Sequence, residues 1–278
     1  MLTIASLTVA EIVRRRIALL AAIATIVLAG ATAWGLAQLA ARIPNHVLAL
    51  TAASVIVTLL AFMFSFVLAL GGAFLAAPAI ATEVESGIVL AILPRPLTRA
   101  EYVLGKWLGL AAALVVFALV AGAIELIAID MAIGYVPPHP WEALGYLAMQ
   151  CVALASLALF LGTRLPAIAA GLIAVVAFGI AWIGGIAAGI AGNVHDATLL
   201  HATTALALLV PTDVLWRGAM FELQPVAIAL ASHAVTQNGV GNPFGPSGPP
   251  VTALVWWSGL WIVAVVGGAV ASFARRDL

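Results

Sequence analysis

EVESGIVLAILPRPLTRAEYVLGK, residues 83–106, is the stretch on which the reading of this sequence turns. It holds six charged residues: Glu83, Glu85, Arg95, Arg99, Glu101 and Lys106. In the whole chain of 278 residues Lys and Arg occur only 11 times, and Asp and Glu 11 times. Two prolines, Pro94 and Pro96, and an apolar run from Ile88 to Leu93 lie among those charges. Long apolar runs lie on both sides, so the stretch separates two segments that water does not solvate.

The chain is 65% hydrophobic and 8% charged, with a mean hydropathy of +1.21. No soluble fold hides that much apolar surface, because part of every fold faces its solvent. Lipid is the solvent here. The net charge is zero, which points to no polyanionic partner and no nucleic acid. The single cysteine, Cys151, excludes an internal disulfide and a cysteine metal cluster, and its apolar surroundings suit a small buried filler.

A spanning helix needs about 20 apolar residues. Residues 17–40, 48–76, 105–130, 143–163, 166–191 and 251–273 qualify. All six are expected to be helices, since an unpaired backbone group in hydrocarbon costs several kcal/mol. Arg14, Arg15 and Arg16 before the first run resemble the start of a signal peptide cleaved after Ala33. The run continues to Ala40, and further spans follow, so an uncleaved first span is the expectation.

With the N-terminus inside, Arg14, Arg15, Arg16, Arg95, Arg99, Lys106, Arg164, Arg275 and Arg276 are cytoplasmic, and only Arg42 and Arg217 fall outside. That asymmetry sets both termini in the cytoplasm of a multi-pass inner-membrane protein. Trp34, Trp107, Trp141, Trp256 and Trp257 fall near predicted span ends, and Trp182 is expected between helices. Residues 1–16 read as a short interfacial helix. On a helical wheel Leu2, Ala5, Val9, Ile12 and Val13 share its apolar side, while Ile4 and Leu7 spoil the pattern. The extracytoplasmic loop, 192–250, contains apolar runs 197–210 and 225–235, both too short to span and read as re-entrant or interfacial helices. Asp213 is a candidate N-cap between them. Gly185 and Gly189, at four-residue spacing, are weak evidence for a dimer face.

Within the quoted stretch, Thr82 to Glu85 and Thr98 to Glu101 both fit a capping box. The first predicts a short helix through Leu93, stopped by Pro94 and Pro96. The second predicts the start of the third span. The short helix carries Ile88, Val89, Leu90, Ile92 and Leu93, and something must cover that apolar face: lipid, the protein's own helices, or a groove on a partner.

The order acid, Gly87, apolar run, Pro96, Arg99, Glu101, Lys106, Gly109 resembles the cytoplasmic loop of type-2 permeases of ATP-binding cassette transporters, in particular those of the multicopper-enzyme-maturation kind. Six spans, an N-terminal interfacial helix, a long loop before the last span and the terminal FARRDL are similar too. The resemblance implies an all-α membrane domain of the type V exporter fold, made by residues 1–278 as one unit. It implies that 82–98 is a coupling loop docking in a cytoplasmic ATPase, and that Glu83, Glu85, Gly87, Ile88, Leu90, Arg95, Arg99 and Lys106 are its coupling residues. The family often has a hydroxyl residue where this chain has Ile88. Spans two and five are then the pathway lining, and a second copy or a paralogue completes the transporter.

The ATP chemistry is expected elsewhere. Lys106 is the only lysine, and a phosphate-binding loop around it needs glycine at Ala100 and Ser or Thr at Trp107. ATP and magnesium therefore belong to a partner subunit, and this chain is no enzyme. No metal site is expected: His195, Asp196 and His201 are near in sequence, but the two imidazoles do not share a helical face. Glu125 lies about 28 Å along a helix from Lys106, close to the outer edge of hydrocarbon about 30 Å thick. Glu125 and Asp130 are thus interfacial acids and candidates for an outer gate. Two other readings stand beside a permease: a proton-coupled secondary carrier using those acids, and a membrane anchor or assembly factor without transport.

Overall fold

The structure, a computed structural model, describes residues 1–14, 16–43, 46–87, 98–194, 196–224 and 249–276, with backbone alone at 16–18, 46–55 and 192–193. The described residues form helices α1 (Leu2–Arg14), α2 (Arg16–Arg42), α3 (His46–Ala76), α4 (Pro78–Glu85), α5 (Arg99–Ile133), α6 (Pro140–Gly162), α7 (Ala167–Val194), α8 (Ala197–Leu209), α9 (Thr212–Leu223) and α10 (Thr252–Ala274). Among the described residues six stretches are each long and apolar enough to cross a membrane, and the bent pair α8 and α9 passes the same test only when taken together. The six stretches match the six expected runs: α2, then α3 with α4, then α5, α6, α7 and α10. This is an all-α integral membrane protein.

Span four, α6, is the axis. Of its most apolar stretch 67% is buried inside the bundle, against 17% in span one. Small residues let neighbours approach it closely. Gly72 of α3 lies against Cys151, and a Cβ there would come 2.9 Å from its sulfur. Cys151 is fully buried and donates to the Leu68 carbonyl at 3.1 Å, as a small filler should. Gln150 beside it is also buried and accepts from Ser65 at 2.8 Å. Trp182 lies tilted against Phe62 with ring centres 5.5 Å apart, and Phe62 meets Trp216 at 5.4 Å, so Trp182 does lie between helices. Trp34, Trp141 and Trp256 stay exposed near span ends.

Span three begins six residues earlier than its apolar run, because the Thr98 capping box sets its start. The Thr98 hydroxyl accepts from the Glu101 amide, and the Glu101 carboxylate accepts from the Thr98 amide at 2.9 Å. Gly134, at φ 66°, ends the helix. The resulting 35 residues are about 50 Å long, well beyond the hydrocarbon thickness.

The other expected capping box does not form. Thr82 is inside α4, its hydroxyl bonded back to the Pro78 carbonyl at 2.7 Å. The helix that was expected to begin at Thr82 instead ends at Glu85. Ser86 caps it, and Gly87 turns the chain at φ 72°, a left-handed conformation that glycine adopts without strain. Residues 88–97 lie outside the described residues, and with them the rest of the expected short helix.

Helix α1 packs on the start of span three, on a face that keeps Ala5 and Ile12 of its expected apolar side and turns Leu2 and Val13 outward. Ile4 and Thr8 are the contact residues, and Leu2, Leu7 and Val13 are exposed. The reason lies in α5: a Cβ at Gly105 would sit 2.7 Å from Ile4 Cβ, and one at Gly109 would sit 2.7 Å from the Ala5 carbonyl oxygen and Thr8 Cβ. Two glycines make a shallow seat that lets the backbone of α1 and the Cβ atoms of Ile4 and Thr8 lie directly on α5. The exposed Leu2, Leu7 and Val13 suit a helix lying on lipid.

Helices α8 and α9 form a hairpin bent by 94° at Val210–Pro211. Each is about 20 Å long or less, so neither crosses the bilayer alone. Asp213 is not the cap of α9, whose N-cap position is Pro211. Its carboxylate instead lies on the bare backbone of Gly185 and pairs with Arg217 at 2.7 Å. Gly185 thus seats α9 within the chain. Asp196 is the residue that caps, accepting from the amides of Thr198 and Leu199 at 2.9 and 3.1 Å. The run 225–235 lies outside the described residues.

Candidate functional site

The end of the bundle that carries Met1 and Arg276 holds two polar clusters, joined by the stacked Tyr102 and Phe273 rings. The first starts at Glu83, in the last turn of α4. One carboxylate oxygen takes the Lys106 ammonium at 2.5 Å, and the other accepts from the Tyr102 hydroxyl. Lys106 also lies 3.8 Å from Glu11 of α1. Its side chain is 10% exposed, so its charge is directed inward and held by two acids. One lysine thereby ties α1, span two and span three together.

Arginines form the second, at span six. Arg99 donates to the carbonyls of Ala274 and Arg276 at 3.0 and 2.7 Å. A guanidinium there complements the negative end of α10. Tyr102 stacks on Phe273 with ring centres 5.5 Å apart. Arg164 donates to the Ser272 carbonyl at 2.8 Å, and Arg276 donates to the Thr163 carbonyl at the end of α6. Spans four and six therefore cap each other.

A model of the ABC-2 family transporter proteins matches residues 2–278. This chain belongs to that family. No curated protein matches it. The protein is accordingly a membrane permease component of an ATP-binding cassette transporter, a class that works with ATPase subunits and is not itself the ATPase.

Of the permease's eight expected coupling residues, the structure brings Glu83 and Lys106 into contact and joins Arg99 to the last helix. Glu85 is exposed at the end of α4, and Gly87 makes the turn that follows. Ile88, Leu90 and Arg95 lie outside the described residues. The sequence reading missed Tyr102, Glu11 and Phe273. Tyr102 is three residues after Arg99 and four before Lys106, a helical spacing that already placed all three on one side of α5.

At the far end of the permease the two expected gate acids separate. Glu125 accepts from Thr32 of span one at 2.6 Å. Asp130 is exposed and lines a cavity of about 190 Å³ with Leu126, Val136 and Trp141. Five residues on a helix put their carboxylates about 140° apart, so they share no face. Of the set weighed for a metal, His201 is exposed on α8, Asp196 is a cap, and His195 lies outside the described residues. The titratable group that sequence reasoning missed is His139, whose Nδ1 is 2.8 Å from Glu222 Oε2. Beside it the Tyr135 hydroxyl donates to the Leu223 carbonyl at 2.6 Å, and burial pushes that phenol up to about 12, so it stays a donor at neutral pH.

Proposed function

We propose that this permease is the membrane half of an ATP-driven exporter, coupled through residues 82–98 to a separate cytoplasmic ATPase that binds ATP and magnesium. A second copy or a paralogue completes the pathway, in an inner membrane with both termini in the cytoplasm. The observation that carries this reading is the Glu83–Lys106–Glu11 ion cluster together with the Arg99 cap on α10. Both ends of the 82–98 loop are tied into rigid elements, so a displacement of the loop moves α1 and spans two, three and six together. Two packings of those spans with different affinity for an ATP-bound partner are all that coupling requires. The positive-inside asymmetry supports the orientation, because Arg99, Lys106, Arg164 and Arg276 gather at this one end.

Native-membrane purification of the tagged chain tests the proposal. A P-loop ATPase should co-purify, and the complex should hydrolyse ATP. Recovery of the intact permease with no ATPase, under conditions that preserve other transporters of this class, would overturn it.

A further inference from the structure

We propose that His139, Glu142 and Glu222 form a binding site for a divalent transition metal of the zinc type, at the end of the bundle away from the termini. His139 immediately precedes α6, Glu142 is in its first turn, and Glu222 is in the last turn of α9. One imidazole nitrogen and one oxygen from each carboxylate all lie within 4.8 Å of one another.

The electrostatics of these groups call for a cation. Glu222 is 8% exposed, so its charge is largely removed from water. It sits at the C-terminal end of α9, where the helix carries partial negative charge and disfavours a carboxylate. A second carboxylate, Glu142, converges on it. Among the described residues no lysine or arginine lies within ion-pair distance of either acid; the partner of Glu222 is His139. Two converging carboxylates, one of them at the negative end of α9, together with an imidazole make a good ligand set.

The backbone also holds the three residues in place. The His139 amide donates to the Glu222 carbonyl at 3.4 Å, and Tyr135 bonds the next carbonyl, Leu223, at 2.6 Å. One imidazole and two carboxylates suit zinc and its first-row neighbours, with water completing the shell. Metal–ligand distances of about 2.0–2.2 Å put tetrahedral ligands about 3.3 Å apart. His139 and Glu222 then open slightly from 2.8 Å, and the exposed Glu142 rotates in. The ion replaces the Nδ1···Oε2 hydrogen bond, and the imidazole binds it through Nδ1 with its proton on Nε2. Occupied, the site staples the start of span four to the α8–α9 hairpin.

The test uses the full-length permease, purified without a histidine tag, stripped with chelator and placed in lipid nanodiscs. Zinc alone is titrated by calorimetry, and cobalt by its visible absorption. One ion per chain should bind saturably. His139→Gln, Glu142→Gln and Glu222→Gln should each weaken binding at least about tenfold, as loss of a ligand does, and abolish the tetrahedral cobalt band. His139 and Glu142 are exposed, so their variants decide the matter even if Glu222→Gln misfolds. Absence of saturable binding, binding at millimolar zinc only, or wild-type affinity in the His139 and Glu142 variants would overturn the site and leave a plain His139–Glu222 hydrogen bond. None of these outcomes depends on the ATPase partner.

Discussion

Lys106 meets Glu83 at 2.5 Å, two turns into span three and in the last turn of span two. The two residues bracket the loop that the sequence marks for coupling, and both side chains are mostly buried, at 10% and 20% exposure. Removing one partner of such a pair leaves a poorly solvated charge, at a cost of about 3 kcal/mol. Lys106→Met should therefore lower thermal stability measurably in detergent. Adding Glu83→Gln should recover most of the loss, because the orphaned carboxylate is gone. A single variant as stable as wild type, or a double variant worse than the single, contradicts the pairing.

The seat of α1 gives a test with an internal control. Gly109→Ala pushes a methyl against the Ala5 carbonyl oxygen at 2.7 Å, and backbone cannot step aside as a side chain can. Overpacking of this kind costs about 1–3 kcal/mol. Gly35→Ala, in span one, meets nothing within 4 Å and should be harmless. Limited trypsin digestion near Arg14 reads the difference: faster N-terminal cleavage in the Gly109 variant, unchanged cleavage in the Gly35 variant. Equal rates in both would mean that α1 does not depend on the glycine seat.

Topology is checked on a Cys151→Ala background, since the buried native thiol contributes no labelling. Single cysteines at Leu90 and Val240 should react with an impermeant reagent from opposite sides of the membrane. Labelling of both from the same side contradicts six crossings with both termini on one side.

The six spans and the Thr98–Glu101 cap were legible because each is a local property: a run of apolar residues, or two side chains three positions apart. The face of α1 was legible only in part. Ile4 and Thr8 look misplaced on a wheel, yet they are selected by Gly105 and Gly109, about a hundred residues away. Asp213 reads as a cap from its neighbours, but its partner Arg217 and the bare backbone of Gly185 draw its carboxylate sideways. Gly185→Ala should accordingly dislodge α9, whereas Gly179→Ala, with nothing within 4 Å, should not. At the candidate site, charge density marked Glu83, Arg99 and Lys106, but not that Glu83 and Lys106 turn inward upon each other while Arg99 reaches the end of α10. His139 and Glu222 are 83 positions apart, and no periodicity links them.

The apolar run after Gly87 is where the ATPase contact is expected, and Leu90 is its central large residue. Leu90→Asp would place a charge in whatever apolar groove receives that run. A charge moved from water without a partner costs several kcal/mol, and each 1.4 kcal/mol is tenfold in affinity. Association with the ATPase should weaken by at least about a hundredfold. The bundle itself should insert and fold normally, because the Glu83–Lys106 pair and the Arg99 cap on α10 flank the substitution without including it. Glu85→Ala is the contrasting variant: its side chain is exposed, an exposed ion pair is worth about 0–1 kcal/mol, and its loss should shift affinity by severalfold at most. Co-purification of the ATPase and ATP hydrolysis by the complex are the measurements. If Leu90→Asp inserts normally and still binds and stimulates the ATPase as wild type does, the run rests on lipid or on the protein's own helices. The force of ATP closure must then enter the spans by another surface.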